Sequence, residues 1–353
     1  MRRDTRIQLA AALVAALFLA SSVVLSVQLT ATAGRAQLTY TDQAEKGDRW
    51  EVAAGIAMGA FRGMFVNMLW IRANDMKQAG KFFDAVELAR AITRLQPRFP
   101  RVWVFHGWNL AYNISVATKT SQERWNWVNQ GIAVLRDEGI PANPNDLLLH
   151  KELAWIYLHK IQGVTDDANV FYKKQFAAEW TVVLGPPPAP GPEDRDRDKA
   201  IERRAEWLQR IADAAQTIEE VVRRHPSAAR LVERLRAEFG QGFETPEARR
   251  ELLSRYESTR AVKRSSRRFA VEQGANARTK AFFALVDDAA LEPAWDELLR
   301  FVRRRVLVDD YHMEPERMVR STRKYGPLDW RHAAAHSLYW SARGVEVASQ
   351  RFD

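Results

Sequence analysis

The stretch Gly80-Lys-Phe-Phe-Asp-Ala-Val-Glu-Leu-Ala-Arg-Ala-Ile-Thr-Arg-Leu-Gln-Pro97 decides the fold. Apolar side chains recur from Phe82 to Leu95 at spacings of three and four residues, which predicts a helix buried along one face. Val66–Lys77 has the same periodicity and lies just before the helix-breaking Gly80. The two stretches therefore predict a pair of helices joined by a short turn.

This predicted pair resembles a tetratricopeptide (TPR) repeat, a helical hairpin of 34 residues with small residues where its helices touch and a closing proline. With Pro97 as the closing residue, Ala73, Gly80 and Ala85 take small positions, and Gly107 takes one in the next repeat. The region also resembles bacterial membrane-anchored TPR-like proteins. The resemblance implies an all-α, TPR-like helical-hairpin array (an α-solenoid).

Two more helix pairs follow in the sequence. The second pair begins with a helix over about Arg101–Ala117, and Thr120 with Glu123 forms a capping box that opens its partner. Its closing proline comes about ten residues late, so we expect an expanded repeat. The third pair starts near Asp146, and Thr165 is the predicted cap of its second helix.

The N-terminus carries the features of a membrane anchor. No charged residue occurs from Ile7 to Gly34, and Ile7–Leu29 as a helix would span ~35 Å, enough to cross a bilayer. Arginines before the span predict a cytoplasmic N-terminus and a periplasmic remainder. The alternative is a signal peptide cleaved after Ala33, because Ala31-Thr32-Ala33 fits a cleavage site.

The composition divides the chain into four predicted regions: an anchor (1–34), TPR-like repeats (35–184), a Pro-rich and charged linker (185–199), and an Arg-rich helical region (200–353). Within the last region, Thr245 caps a helix predicted to run to about Gln273. A final helix carries Trp330 and Trp340 and is similar to the first helix of another repeat. Because the sequence leaves little room for its partner helix, we expect this helix to be unpaired within the chain, with its surface covered by a partner or by a continuation of the protein.

The TPR resemblance implies that the first helices of the repeats line a concave groove that binds peptides. The family's groove positions fall on Asn67, Trp70, Asn74, Lys77, Arg101, Trp108, Lys151 and Trp155. Other groove positions are apolar, so an alternative is that helices elsewhere in the chain fill the groove.

A cluster of cations lies in the Arg-rich region: Arg260, Lys263, Arg264, Arg267 and Arg268. Such clusters bind phosphates or anionic polymers. The excess of 53 Lys and Arg over 44 Asp and Glu is spread over both halves of the chain, and few aromatic residues interleave with the cluster. These features exclude nucleic acid as the expected partner and leave an anionic lipid or wall polymer as an alternative.

Little in the sequence indicates catalysis. The chain has no cysteine, so it has no thiol nucleophile and no Cys-ligated metal or cluster. It also has no phosphate-binding loop and no nucleophile elbow. His332 and His336 have the i, i+4 spacing of metal ligands but lack the glutamate of HExxH, and Asp309–His312 groups two carboxylates with a histidine.

We therefore predict no enzymatic activity and no cofactor. The leading hypothesis is a membrane-anchored, extracytoplasmic scaffold or adaptor that binds protein partners in an envelope complex. The alternatives are a helical protein that binds anionic lipid or wall polymer, and a helical metalloenzyme that uses His332 and His336.

Overall fold

The computed structural model describes residues 11–14, 17–18, 20–22, 24–25, 28, 66–189, 191–265, 271 and 273–349. Every regular element in these residues is a helix, which confirms the predicted all-α class. The chain divides into two compact units, residues 1–106 and residues 107–353. The predicted linker, 185–199, lies within the second unit.

The helices are numbered in chain order. The first six are α1 (66–78), α2 (Phe82–Leu95), α3 (Pro100–Trp108, a π-helical segment Asn109–Ile114 and Ser115–Ala117), α4 (Ser121–Ala133, a π-helical segment Val134–Gly139 and Ile140–Ala142), α5 (Leu147–Trp155 and a π-helical segment Ile156–Ile161) and α6 (Asn169–Leu184). The others are α7 (Arg197–Ala212), α8 (Ile218–Arg224), α9 (Ser227–Phe239), α10 (Pro246–Arg264), α11 (Ala277–Asp287), α12 (Glu292–Arg305, continued by a π-helical segment Val306–Asp310), α13 (Pro315–Tyr325) and α14 (Ala333–Ser349).

The first unit contains the predicted helix pair α1 and α2. Gly80 stands between them with a φ of +74°, a left-handed conformation that glycine adopts without strain. Ala73 and Ala85, predicted to lie where the helices touch, are fully buried. The core of this unit also contains Ile92 and Val102.

In the second unit, α4 packs against the C-terminal part of α3 through glycines. A Cβ atom on Gly131 would lie 2.6 Å from the carbonyl oxygen of Gly107 and 2.9 Å from Ala111 Cβ, so only glycine permits this approach. The predicted capping box is present, since Thr120 Oγ1 accepts from the Glu123 amide and Glu123 accepts from the Thr120 amide. Helix α4 extends to Ala142, and this added length explains why the proline that closes the second repeat comes late in the sequence.

The predicted cap at Thr165 is wrong, because α6 begins only at Asn169. Asp166 holds the preceding turn instead. Its carboxylate accepts a hydrogen bond from the Ala168 amide at 2.9 Å and pairs with Lys160 and Arg124. These ion pairs keep the loop out of helical conformation for one more turn.

The Arg-rich helices surround α12, which packs against α7, α8, α9, α10 and α11, while α13 packs against α7. Thr245 caps α10 as predicted. The predicted end of α10 near Gln273 is wrong, because the helix ends at Arg264. Both the amide and the hydroxyl of Ser265 donate to the Val262 carbonyl, which closes the last turn.

The C-terminal helix is paired within the chain, so the expectation of an unpaired end is wrong. Helix α14 packs along α5, where a Cβ on Gly344 would lie 2.8 Å from His150 Cβ. Trp330, which lies before the helix and not on it, and Trp340 are both buried. The C-terminal helix α14 therefore packs against a helix of the repeat array that was predicted from the sequence.

Nearly half of the predicted anchor, Ile7–Leu29, falls outside the described residues. Its described positions are helical, and their large apolar side chains are exposed; Phe18 is 73% exposed. None of the helices in the described ranges combines the length and the hydropathy needed to cross a membrane.

Candidate functional site

Helices α3 and α5 present a row of four rings, which we call the aromatic ladder: Trp108, Tyr112, His159 and Trp155. Trp108 stacks on Tyr112 with ring centroids 4.4 Å apart, and Trp155 stacks on His159 with centroids 5.0 Å apart. Tyr112 connects the pairs, because its hydroxyl lies 3.3 Å from His159 Nδ1 and the two rings are 5.8 Å apart. Trp155 is 41% exposed, so the row is accessible from solvent.

Buried polar groups fix the orientation of the ladder. The indole of Trp108 donates a hydrogen bond of 2.8 Å to the buried carboxylate of Glu152. Lys160 Nζ lies 5.1 Å from the centre of the Tyr112 ring and forms an ion pair with Asp166 in which both side chains are buried. Burial, with a smaller contribution from Glu152, raises the pKa of Tyr112 and keeps its hydroxyl protonated at neutral pH.

Both central rings of the ladder lie in π-helical segments. Tyr112 belongs to Asn109–Ile114 and His159 to Ile156–Ile161. Such segments are rare in proteins and occur frequently at functional sites, because the wider turn redirects the side chains that follow. Here they bring the two rings into contact across the helix pair.

Tyr112 and His159 were not predicted from the sequence, although a signal for them was present. In both α3 and α5 a tryptophan at a groove position is followed four residues later by another ring, Trp108 by Tyr112 and Trp155 by His159. Residues at this spacing lie on the same face of a helix. The π-helical turns that complete the contact have no comparable signature in the sequence.

The other predicted groove residues lie in two places. Lys151 is exposed beside the ladder, with its Nζ atom 3.2 Å from Glu152 Oε1. The remaining five, Asn67, Trp70, Asn74, Lys77 and Arg101, belong to the first unit. There Trp70 packs against Phe105 at 4.8 Å, while Asn67, Asn74 and Arg101 are exposed.

The two histidines of the metalloenzyme hypothesis have opposite environments. His332 is exposed and lies 3.9 Å from an Asp329 oxygen. His336 is fully buried, and its Nε2 lies 2.9 Å from the Trp330 carbonyl oxygen, to which it donates. Because Nε2 donates its proton to that carbonyl, only Nδ1 of His336 could bind a metal. In the described residues, no three His, Asp or Glu side chains are grouped so that they could hold a metal ion.

Aromatic rings enclose His336. Its ring centroid lies 4.0 Å from that of Trp180, 4.8 Å from that of Phe176 and 5.3 Å from that of Tyr157. Burial, aided by the nearby Arg136 guanidinium and opposed by the Trp330 carbonyl, lowers the pKa of His336 to about 3. The imidazole is therefore neutral in the folded protein.

The carboxylates of the Asp309–His312 cluster are already paired. Asp310 forms a buried ion pair with Arg249, and Asp309 forms an ion pair with Arg305, whose Nε lies 2.6 Å from Asp309 Oδ2. These contacts leave neither group placed as a general base beside His312, whose Nε2 lies 3.8 Å from Asp137 Oδ1.

Next to this cluster lies a polar cavity of about 310 Å³ that was not predicted from the sequence. Arg136 and Asp137 line it and form a bidentate pair with distances of 2.6 and 2.9 Å. Tyr311 donates to Glu179 across the same space. The charged groups of the cavity thus largely satisfy one another.

The predicted cation cluster is split by the structure. Lys263 pairs with Asp287, whereas Arg260 and Arg264 line a separate cavity between helices of the Arg-rich region. Arg267 and Arg268 lie outside the described residues.

No protein-family model, curated protein or solved structure matches the chain.

The buried neutral His336 predicts a pH dependence of stability. The unfolded chain takes up a proton below the usual histidine pKa of about 6.5, whereas folded His336 does not until about pH 3. The unfolding free energy therefore falls as the pH drops from about 6.5, by roughly 1 kcal/mol per pH unit for this residue. Urea unfolding of His336→Gln between pH 7 and pH 5 should show a smaller slope than the wild type.

His332→Gln is the matched control and should keep the wild-type slope, because its side chain is exposed. Comparing each variant with the wild type also cancels the contributions of the other buried histidines to the pH dependence, because those residues are the same in all three proteins. An unchanged slope in His336→Gln would contradict the assignment of a neutral imidazole.

Proposed function

We propose that this chain is a membrane-anchored, extracytoplasmic TPR-like adaptor that binds a protein partner at the aromatic ladder. The pre-ordered row of Trp108, Tyr112, His159 and Trp155 carries the proposal. Trp155 is exposed, and the other three rings are half-buried. Tryptophan and tyrosine are enriched at the centres of protein interfaces, where they contribute a large share of the binding energy. Because the rings are already fixed by Glu152 and the Lys160 pair, ordering them on binding costs little.

The surroundings of the ladder indicate the kind of segment that it would bind. Leu158 is 46% exposed and Val116 is 50% exposed, and each belongs to one of the two helices that carry the ladder. Lys151 adds an exposed cation at the edge. The expected partner segment therefore has apolar or aromatic side chains for the ladder and a carboxylate for Lys151.

The TPR resemblance also supports this surface as the partner-binding site. Trp108, Lys151 and Trp155 were predicted as groove residues, and α3 and α5 are the first helices of two predicted repeats. Helix α14 lies along α5 as an additional element, yet it leaves Trp155 and Leu158 exposed. In this proposal the protein acts by binding and performs no catalysis.

The predicted anchor supports the membrane attachment that the proposal includes. Described positions within Ile7–Leu29 expose apolar side chains such as Leu13 and Phe18, which a bilayer would cover. The arginines that precede the span favour a periplasmic location for the ladder.

The ladder is tested by site-specific crosslinking in the native host. A photoreactive phenylalanine in place of Leu158 should form an adduct with one protein, whereas the same residue in place of the exposed Val170 should not.

With the purified partner, Trp155→Ala should weaken binding by roughly 30-fold, because loss of an interface tryptophan typically costs about 2 kcal/mol or more.

Tyr325→Ala is the control for that affinity, because Tyr325 is an equally exposed aromatic residue outside the ladder. It should bind as the wild type does. Equal adducts at positions 158 and 170, or equal affinities for the two variants, would overturn the assignment of the ladder.

The anchor is tested separately by fractionation. The full chain should stay with membranes after an alkaline carbonate wash, and a chain without residues 1–34 should be released. Release of the full chain by the same wash would contradict a membrane-spanning anchor.

A further inference from the structure

A cavity of about 610 Å³ lies within the Arg-rich region and is separate from the aromatic ladder. Three helices and the start of the Pro-rich segment form its walls. Five arginines line it: Arg210 on α7, Arg260 and Arg264 on α10, and Arg300 and Arg303 on α12. We propose that this cavity binds a ligand through a phosphate group.

The charges of the cavity are unbalanced in favour of cations. Three carboxylates, Glu257, Glu292 and Asp296, also line it. Two of them are taken, since Glu257 accepts from Arg303 at 2.5 Å and Asp296 from Arg300 at 2.6 Å.

Arg210, Arg260 and Arg264 therefore remain available. Within the described ranges, none of them has a carboxylate at ion-pair distance. Arg260 lies near the Tyr256 ring, with its guanidinium carbon 6.0 Å from the ring centre. These three guanidinium groups, from two helices, line the same cavity, and arginine binds phosphate oxygens through paired hydrogen bonds.

The floor of the cavity is desolvated, which strengthens its attraction for an anion. Burial lowers the pKa of Arg303 and raises the pKa of Glu257, although the neighbouring arginines oppose the second shift. Arg303 Nε is buried and has no hydrogen-bond acceptor among the described residues. A buried donor of this kind is costly unless a further group accepts from it.

The Pro-rich segment helps to build this site. Gly185 has a φ of +77°, and a Cβ atom there would lie 2.6 Å from Arg303 Nη2. Glycine is therefore needed for the chain to turn over the Arg303 guanidinium before Pro186 completes the wall. Trp207, Tyr256 and Leu299 supply apolar lining, so the phosphate group is expected to be attached to a body with apolar surface.

The test uses the full chain in detergent and two probes that carry the same chemistry. Inorganic pyrophosphate, measured by isothermal titration calorimetry, represents a soluble phosphorylated ligand. Vesicles with anionic phosphatidylglycerol, compared with neutral phosphatidylcholine vesicles, represent a lipid headgroup. We expect one-to-one binding of pyrophosphate that weakens with added salt.

The variant Arg260→Gln/Arg264→Gln should weaken binding at least tenfold. Arg223→Gln/Arg230→Gln removes the same charge from exposed positions outside the cavity and should bind within twofold of the wild type. Thermal unfolding of both variants checks that they fold. Binding only to anionic vesicles, with the same loss in the cavity variant, would assign the site to a lipid headgroup. Equal losses in both folded variants, or no binding of either probe, would overturn the proposal.

Discussion

The docking of α14 against α5 and α6 is the contact on which the second unit depends. It brings residues from the end of the chain into the aromatic core, where His336 is enclosed by Trp180, Phe176 and Tyr157. A neutral imidazole fits this site because its one donated hydrogen bond goes to the Trp330 carbonyl. Gly344 permits the close approach of the two helices. Residues on both sides of the Pro-rich segment thereby share one core.

In this arrangement two sides of α5 contact other helices, and a third side is exposed to solvent. Tyr157 and His150 face α14, whereas Glu152 and His159 face α3. Trp155, between these flanks, remains exposed. The Pro-rich segment follows α6 and lies over Arg303, where Gly185 permits the close approach.

Local features were predictable from the sequence because they depend on neighbouring residues. The hairpin at Gly80, the capping box of Thr120 and the cap at Thr245 all follow from spacing and side-chain chemistry. Among the site residues, Trp108 and Trp155 were predicted through the TPR resemblance. Contacts between distant segments were not, because no local pattern encodes them. Examples are the ion pairs that displace the start of α6 and the burial of Trp340.

Cleavage of the Pro-rich segment tests the shared core most directly. A protease site inserted after Pro188 allows the folded chain to be cut there, and the two fragments can be followed by gel filtration and urea unfolding. We predict that they elute together and unfold in one transition, because α14 remains packed on α5. Two folded fragments that separate without denaturant would contradict the shared core and would make the Pro-rich segment a linker between independent domains.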